Sequence, residues 1–226
     1  MIYLTGDMHG EAGRFYYLYK FYNEKNWTKD DYLIVTGDFG FILANDRSEN
    51  LFLDDLEKRP YTILFVCGNH ECFPAIYRYP TAEWHGGKVH QIRRNIYHLM
   101  RGQVYDICGK TFFTFGGAFS IDRESRTLGE SWWQEELPTS EEYLEGFANL
   151  AKHNKKVDYI ITHTMPSEMI RAIEMTPHPG ESDLTRYLDT VSRGVTFRHW
   201  FCGHWHVDRD IGENFTILYR SVRTIT

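Results

Sequence analysis

Five short segments of this chain carry side chains of the kinds that bind metal ions, and each segment follows an apolar run. They are Gly6-Asp7-Met8-His9-Gly10, Gly37-Asp38, Gly68-Asn69-His70-Glu71, Thr162-His163 and Gly203-His204-Trp205-His206. Apart from Glu71, they supply two aspartates, one asparagine and five histidines. Imidazole combined with carboxylate suits Mn, Fe, Zn, Co or Ni and disfavours Ca. The set is large enough to hold two such cations in one pocket.

Spacing within the segments directs the ligands toward common points. Asp7 and His9 are two residues apart, as are His204 and His206, and residues at that spacing in extended backbone point to the same side. Ligands gather beyond the carboxyl ends of the strands in open α/β sheets, so we expect segments distant in sequence to converge there. A glycine precedes the ligands in four segments, which allows tight turns and close backbone approach.

The elements that must position these segments alternate between strands and helices at both ends of the chain. Apolar runs predict strands over residues 2–5, 31–36, 62–67, 157–162 and 196–202. Helical spacing and capping signals predict helices over residues 11–22, 47–58, 139–153 and 182–193. Thr139 and Glu142 have the spacing of a capping box. Successive strand and helix units favour a largely parallel sheet with helices on its faces.

The middle and the end of the chain have a different pattern. Residues 89–99 and 103–115 are rich in β-forming residues, and the second stretch predicts a hairpin with Gly109 in its turn. We therefore expect the rest of the sheet to be antiparallel or mixed. Three short strands over residues 207–211, 215–218 and 221–225 are predicted to close the chain as a meander.

Length and composition favour one compact domain over residues 1–226, with an added cap as the alternative. The net charge of −6 lacks the basic footprint of a nucleic-acid-binding protein. The four cysteines form no C-x-x-C pair, which fits a reducing compartment. We see no signal peptide and no apolar run near the ~20 residues that span a bilayer. These features predict a cytoplasmic protein without a membrane partner.

The ordered set D-x-H, G-D, G-N-H-E, H and G-H-x-H resembles the calcineurin-like metallophosphoesterase superfamily from Asp7 to His206. The resemblance implies an α/β fold, a four-layer α/β/β/α sandwich of two mixed β-sheets flanked by helices. It implies two divalent transition-metal ions, with manganese expected first and iron, zinc, cobalt or nickel as alternatives. The ligands would be Asp7, His9 and His206 for one metal, Asn69, His163 and His204 for the other, and Asp38 as a bridge.

The resemblance also implies a mechanism. A hydroxide bridging the two metals would attack phosphorus in line. His70 would not bind a metal but would protonate the leaving oxygen or stabilise the phosphoryl charge. The protein Ser/Thr phosphatase branch continues its second motif as G-D-x-x-D-R-G, whereas Phe41 and Ile42 stand here at the Asp and Arg positions. We therefore expect a single-domain member outside that branch, with another phosphate clamp.

Two irregular stretches, residues 116–138 and 165–181, are long for connecting loops, and such loops are often functional. Arg123 and Arg126 in the first are the candidates for the phosphate clamp, since a guanidinium grips phosphate bidentately; the alternative is a solvated loop. His178 in the second is a candidate substrate contact. Trp132 and Trp133 are expected in the core rather than as an aromatic wall. Glu135 and Glu136 are expected to be solvated.

The function that these features favour is a phosphoesterase acting on a small molecule or nucleotide, with phosphomonoester and phosphodiester substrates both open. One alternative is a nuclease acting on DNA or RNA, which the negative charge disfavours. The other is a metal-binding scaffold without activity, which should lack ligands or the catalytic histidine, and none of those positions is lost here. The sequence leaves the oligomeric state open.

Overall fold

Two β-sheets lie face to face in the structure, a computed structural model that describes residues 1–44 and 46–226. The described strands are β1 (Ile2–Thr5), β2 (Tyr32–Val35), β3 (Thr62–Phe65), β4 (Thr81–Trp84), β5 (Gly87–Arg93), β6 (Ile96–Leu99), β7 (Gln103–Ile107), β8 (Lys110–Phe115), β9 (Tyr159–Thr162), β10 (His199–Cys202), β11 (Arg209–Ile211), β12 (Phe215–Ile217) and β13 (Val222–Ile225). The described α-helices are α1 (Gly13–Phe21), α2 (Arg47–Leu56), α3 (Phe73–Ile76), α4 (Ser140–Lys152), α5 (Ser167–Ala172) and α6 (Ser182–Gly194).

Both sheets are mixed, with parallel strands in the middle. The first has the order β13-β1-β2-β3-β6-β5-β4, in which β1, β2, β3 and β6 are parallel. The second has the order β11-β12-β10-β9-β8-β7, in which β12, β10, β9 and β8 are parallel. Antiparallel strands close the edges. The predicted α/β class and its two mixed sheets are confirmed.

Alternation along the central strands creates the layers. Leu33 and Val35 of β2 face a core with α1, α2 and α3, while Ile34 between them faces a core shared by both sheets. A third core lies between the second sheet and α4, α5 and α6. Strands that are buried on both faces consist of continuous apolar runs, which is why they could be predicted from the sequence. Three cores separate four layers, as the resemblance implied.

Most predicted elements are present within a few residues of their expected ends. The predicted hairpin joins β7 to β8 with Gly109 in its turn, and the capping box of Thr139 and Glu142 starts α4. Reading the sequence missed β4, α3 and α5, which have four, four and six residues and carry little periodic signal. No described helix is long and apolar enough to cross a membrane.

The predicted C-terminal meander is wrong. Strands β11 and β12 form an antiparallel pair in the second sheet, but β13 crosses to the first sheet and pairs antiparallel with β1. This pairing provides hydrogen-bond partners for the backbone N–H and C=O groups of β1 on the side away from β2. Those groups would be unpaired if β1 were an edge strand. Spacing along the chain could not reveal this, because it does not say which sheet a short strand joins.

Candidate metal centre

The five ligand segments meet where β1, β2, β3, β9 and β10 end. Each of these parallel strands delivers one segment at its carboxyl end, three from the first sheet and two from the second. The two sheets are tied together there, since Asp7 accepts hydrogen bonds from the backbone N–H of His204 at 2.9 and 3.2 Å. The predicted convergence at the strand ends is therefore what the structure shows.

One group of ligand atoms is formed by Asp7, His9 and His206, whose donor atoms all lie within 4.8 Å of one another. His206 Nε2 lies 3.1 Å from Asp7 Oδ2 and 3.0 Å from His9 Nε2. Two imidazole nitrogens that face each other so closely need a proton or a cation between them. This donor set therefore suits one transition-metal ion.

A second group lies deeper and contains His163 and Asn69. His163 Nδ1 lies 2.8 Å from the carbonyl oxygen of Thr36 and donates to it, which leaves the Nε2 lone pair free for a cation. That Nε2 atom is 3.2 Å from Asn69 Oδ1 and 3.4 Å from Asp38 Oδ1. The ring of His204 packs 5.0 Å from that of His163, centroid to centroid. The geometry again fits a cation.

Asp38 lies between the two groups. Its Oδ1 atom faces His163 at 3.4 Å, and its Oδ2 atom faces His9 at 3.8 Å. Backbone N–H groups of Asn69 and His70 donate to Oδ1 at 2.9 and 2.8 Å and hold the carboxylate in place. A fully buried carboxylate that presents one oxygen to each group has the position of a bridging ligand.

Proton positions in this cluster follow from burial and charge. Burial opposes a charged His163, but Asp38 outweighs it and raises the pKa of His163 to about 9. Burial raises and the neighbouring histidines lower the pKa of Asp38, and the net shift is downward. Burial, and then the charge of His163, lower the pKa of His204 to about 3. Without a cation the buried proton therefore resides on His163, while His204 keeps a lone pair.

Two glycines let the backbone approach the ligands closely. A Cβ atom on Gly68 would lie 2.0 Å from Asp38 Oδ1, and one on Gly37 would lie 2.1 Å from His163 Nδ1. Gly37 also has a φ of +101°, which side chains rarely adopt. The close approach predicted from the sequence is confirmed at both positions.

Glu71 is a residue of this site to which the sequence assigned no role. Its buried carboxyl group accepts hydrogen bonds from the backbone N–H of Phe39 at 2.8 Å and of Gly40 at 3.4 Å. It therefore secures the turn that follows Asp38. Burial, and then the charge of Asp38, raise the pKa of Glu71 well above its usual value. The sequence feature that could have pointed to Glu71 is its position in the G-N-H-E segment, directly after Asn69 and His70.

His70 faces the same pocket and lies under a guanidinium group. Arg126 Nη2 is 3.2 Å from Nδ1 and 3.1 Å from Nε2 of His70. One atom can be that close to both ring nitrogens only above the ring face, because in the plane it would collide with Cε1. Burial lowers the pKa of His70 and Arg126 adds to that effect, while Asp38 opposes it. The ring also lies near His9 and Asp38.

Arg123 has a different environment from Arg126. Its Nε atom donates a hydrogen bond to the Glu136 carboxylate at 2.7 Å. Its guanidinium carbon lies 3.8 Å from the ring centroid of Phe119 and 4.3 Å from that of Trp132, so the group packs between the two rings. Glu136 is fully buried, so the expectation that it is solvated is wrong. The ion pair explains why this carboxylate tolerates burial. Of the two arginines predicted to grip phosphate, Arg126 is the one that contacts His70, and its Nε donates to Asp122 at 2.8 Å.

A hydrogen-bonded relay connects Glu136 to a predicted metal ligand. Ser120 Oγ donates to Glu136 Oε2 at 2.8 Å, and Asn69 Nδ2 donates to Ser120 Oγ at 3.1 Å. All three side chains are buried. Because the amide nitrogen of Asn69 is used in this way, its oxygen is turned toward His163 and the second group of ligands.

A cavity of about 620 Å³ opens above the cluster, between the two irregular stretches. It is lined by Asp38, Asn69, His70, Phe119, Ile121, Asp122, Met175, Thr176, His178, Glu181, His204, Trp205 and His206. The ring of His178, predicted as a substrate contact, stacks on that of Phe119 with their centroids 4.4 Å apart. Its Nδ1 atom accepts a hydrogen bond from the backbone N–H of Gly180. Burial raises the pKa of Glu181 to about 7. Trp133 is in the core as expected, whereas Trp132 is only half-buried and packs against Arg123.

A comparison with known protein families agrees with the geometry. A family model described as calcineurin-like phosphoesterase matches residues 1–208. Among solved structures, one similar chain is the phosphopantetheinyl hydrolase from Mycobacterium tuberculosis, at 17% identity and a TM-score of 0.43, with 97% of this chain and 89% of that chain covered. A search of curated proteins found no match to the chain.

Proposed function

The chain belongs to the calcineurin-like phosphoesterase family, and from that premise we propose that it is a phosphoesterase with two divalent cations that hydrolyses a small-molecule or nucleotide phosphoester. The observation that supports two cations is the position of Asp38, with one oxygen toward His163 and the other toward His9. Manganese is the cation we propose, since the donors are imidazoles with carboxylates and one amide. We also propose a cytoplasmic location and a single domain.

The residues present fit that pair of cations. One cation would be held by Asp7, His9 and His206. The other would be held by Asn69, His163 and His204, and Asp38 would bind both. Bound together, two such cations lower the pKa of a water molecule and neutralise charge on phosphoryl oxygens. Thr36 holds Nδ1 of His163 as a donor, so Nε2 is the ring nitrogen that faces the pocket and would bind the cation once it has lost its proton.

His70 and Arg126 would act on the phosphoryl group from the protein side. His70 is the proposed general acid for the leaving oxygen, because its ring lines the cavity and its backbone is anchored to Asp38. Arg126 would grip a non-bridging oxygen, since its guanidinium lies against that ring. Phe41 and Ile42 are buried in the core, so neither can serve as the orienting carboxylate or clamp of the protein Ser/Thr phosphatases.

The first experiment is metal analysis of the purified protein combined with assays on an activated phosphomonoester and an activated phosphodiester, with Mn²⁺ added. The ratio of the two rates identifies the substrate type. We expect about two metal ions per chain and activity on at least one ester. A protein that binds no metal and hydrolyses neither ester would contradict the proposal.

The second experiment replaces His70 by alanine. We expect kcat to fall by roughly 10²–10⁴-fold with unchanged metal content, because general acid catalysis contributes about that much. His153→Ala, at an exposed histidine at the end of α4, is the matched control and should behave like the wild type. Unaltered turnover would remove His70 from the mechanism, and loss of metal would make it a ligand instead.

A further inference from the structure

We propose that the cleft between Arg14 and Arg220 is an anion site that binds a phosphate group. The cleft has a volume of about 320 Å³ and is lined by Glu11, Gly13, Arg14, Tyr17 and Arg220. It shares no lining residue with the cavity above the metal centre. Phosphate binding in this cleft can be tested whether or not the proposed hydrolytic activity exists.

The first reason is a buried positive charge without a counter-ion. Arg14 is only 8% exposed, and the other buried arginine in residues 1–44 and 46–226, Arg101, forms an ion pair with Glu142 at 3.0 Å. Arg14 forms no ion pair with any described residue. A buried charge is costly unless it is paired. The missing partner is therefore expected to be an anion from outside the chain.

The second reason is the set of donors that Arg14 leaves free. Its Nη2 atom donates to Thr5 Oγ1 at 3.0 Å and to the carbonyl oxygen of Tyr219 at 2.6 Å, and both acceptors are neutral. These bonds use both Nη2 hydrogens and fix the orientation of the guanidinium. Its Nε and Nη1 groups have no described hydrogen-bond partner. A preoriented guanidinium with free donors binds an anion at a low cost in side-chain entropy.

The third reason is a second arginine beside the same ring. The guanidinium carbons of Arg14 and Arg220 lie 5.9 and 5.3 Å from the ring centroid of Tyr219. Arg220 is exposed and likewise forms no ion pair within the described part of the chain. Two like charges near one another repel, and a phosphate between them turns that repulsion into attraction. Phosphate geometry also matches the fork of a guanidinium.

Glu11 is the one acidic side chain that lines the described cleft, and it works against an anion. Its carboxylate is exposed and forms no ion pair with either arginine. Burial and then Arg220 lower the pKa of Arg14, while Glu11 and Asp7 raise it, so all three charges act on the guanidinium. Removing the charge of Glu11 should therefore tighten phosphate binding.

The cleft adjoins the metal centre through one aromatic ring. Tyr219 stacks on His206 at 4.6 Å with an interplanar angle of 14°. A bound phosphate could therefore come from two sources. It could be a second phosphate of a substrate held at the metal centre, or it could be free inorganic phosphate. The chemistry of recognition is the same for both.

The test titrates inorganic phosphate into chelator-treated, metal-free protein by isothermal calorimetry. We expect binding that Arg220→Ala weakens by tenfold or more and that Glu11→Gln tightens several-fold. Arg186→Ala removes an arginine whose side chain is 73% exposed and is the control without effect. Arg14→Lys, checked for folding by circular dichroism, should also weaken binding. No binding to the wild type, or binding that Arg220→Ala leaves unchanged, overturns the proposal.

The source of the phosphate follows from kinetics of the metal-loaded enzyme. Two substrates are compared that differ only in carrying one or two phosphate groups. A tenfold rise in KM for the bisphosphate alone in Arg220→Ala, with kcat unchanged, assigns the cleft to the substrate. Unchanged kinetics with lost phosphate binding assigns it to free phosphate. If neither substrate is hydrolysed, the proposed function fails, while the titration still decides the anion site.

Discussion

At the scale of single residues, the proposed metal centre depends on how each proposed ligand is oriented by a neighbour. Thr36 sets the tautomer of His163, and Ser120 sets the amide orientation of Asn69. Backbone N–H groups of two adjacent residues hold the carboxylate of Asp38. Such supporting contacts tune metal affinity by roughly 10–100-fold. They also lead to two predictions.

The first prediction concerns proton release when metal binds. His163 has a pKa raised to about 9, so it is protonated at pH 7 in the metal-free protein and must lose that proton to become a ligand. At least one proton should therefore be released per chain. Metal affinity should rise by about tenfold per pH unit from pH 7 to pH 9 and then level off. Calorimetry in buffers of different ionisation enthalpy measures the release; none at pH 7 would contradict the raised pKa.

The second prediction concerns the relay from Glu136 through Ser120 to Asn69. Ser120→Ala removes the acceptor that holds the amide nitrogen, so the Asn69 oxygen loses its fixed direction. Metal affinity should fall by about 10–100-fold. Ser125→Ala, at an exposed serine of the same stretch whose Oγ bonds only the backbone of Asp122, is the control. Equal metal affinity in both variants would show that the relay does not position Asn69.

At the scale of secondary-structure elements, the site is built from the carboxyl ends of parallel strands and the turns that follow them. The turns after β2 and β3 approach so closely that Gly68 leaves no room for a side chain beside Asp38. The arrangement concentrates ligands from distant segments, because every parallel strand delivers its next residues to the same edge. It also makes these turns intolerant of extra atoms.

The third prediction tests this packing. A Cβ atom in Gly68→Ala would lie 2.0 Å from Asp38 Oδ1, so the carboxylate or the turn must move. Metal binding should be lost or weakened by at least tenfold. Gly194→Ala at the end of α6 is the matched control, because a Cβ atom there meets nothing within 4 Å. Metal titration of both variants decides. Wild-type affinity in Gly68→Ala would mean that the turn relaxes freely.

At the scale of the whole molecule, the two sheets share one core and one site. Leu64 of β3, Phe112 of β8 and Ile161 of β9 all lie in that middle core. The proposed metal centre draws three segments from one sheet and two from the other. Neither sheet could therefore hold the site alone, which favours cooperative folding of the whole chain.

The fourth prediction follows from the shared core. Leu64→Ala should lower the free energy of unfolding by about 2–5 kcal/mol, and one transition should shift for all probes. Denaturant unfolding followed by tryptophan fluorescence and by circular dichroism measures this. Two separate transitions, only one of them shifted by the substitution, would contradict the prediction of a single domain.

Much of this protein was readable from its sequence alone. Continuous apolar runs predicted the central strands, because parallel strands that are buried on both faces require apolar side chains at successive positions. The residue types and their order predicted a metal centre, because imidazoles together with carboxylates are suitable donors for transition-metal ions. Phe41 and Ile42 showed that the chain lacks the Asp and the Arg that the protein Ser/Thr phosphatase branch has at these positions.

Only the tertiary structure decided which side chains meet across long stretches of chain. It placed β13 beside β1, Arg126 over His70, and Arg123 against the buried Glu136. It also brought Arg14 and Arg220 to one cleft although they are far apart in sequence. The physical reason is that periodicity and spacing report local geometry, whereas these contacts depend on loop paths and on which buried charges find partners.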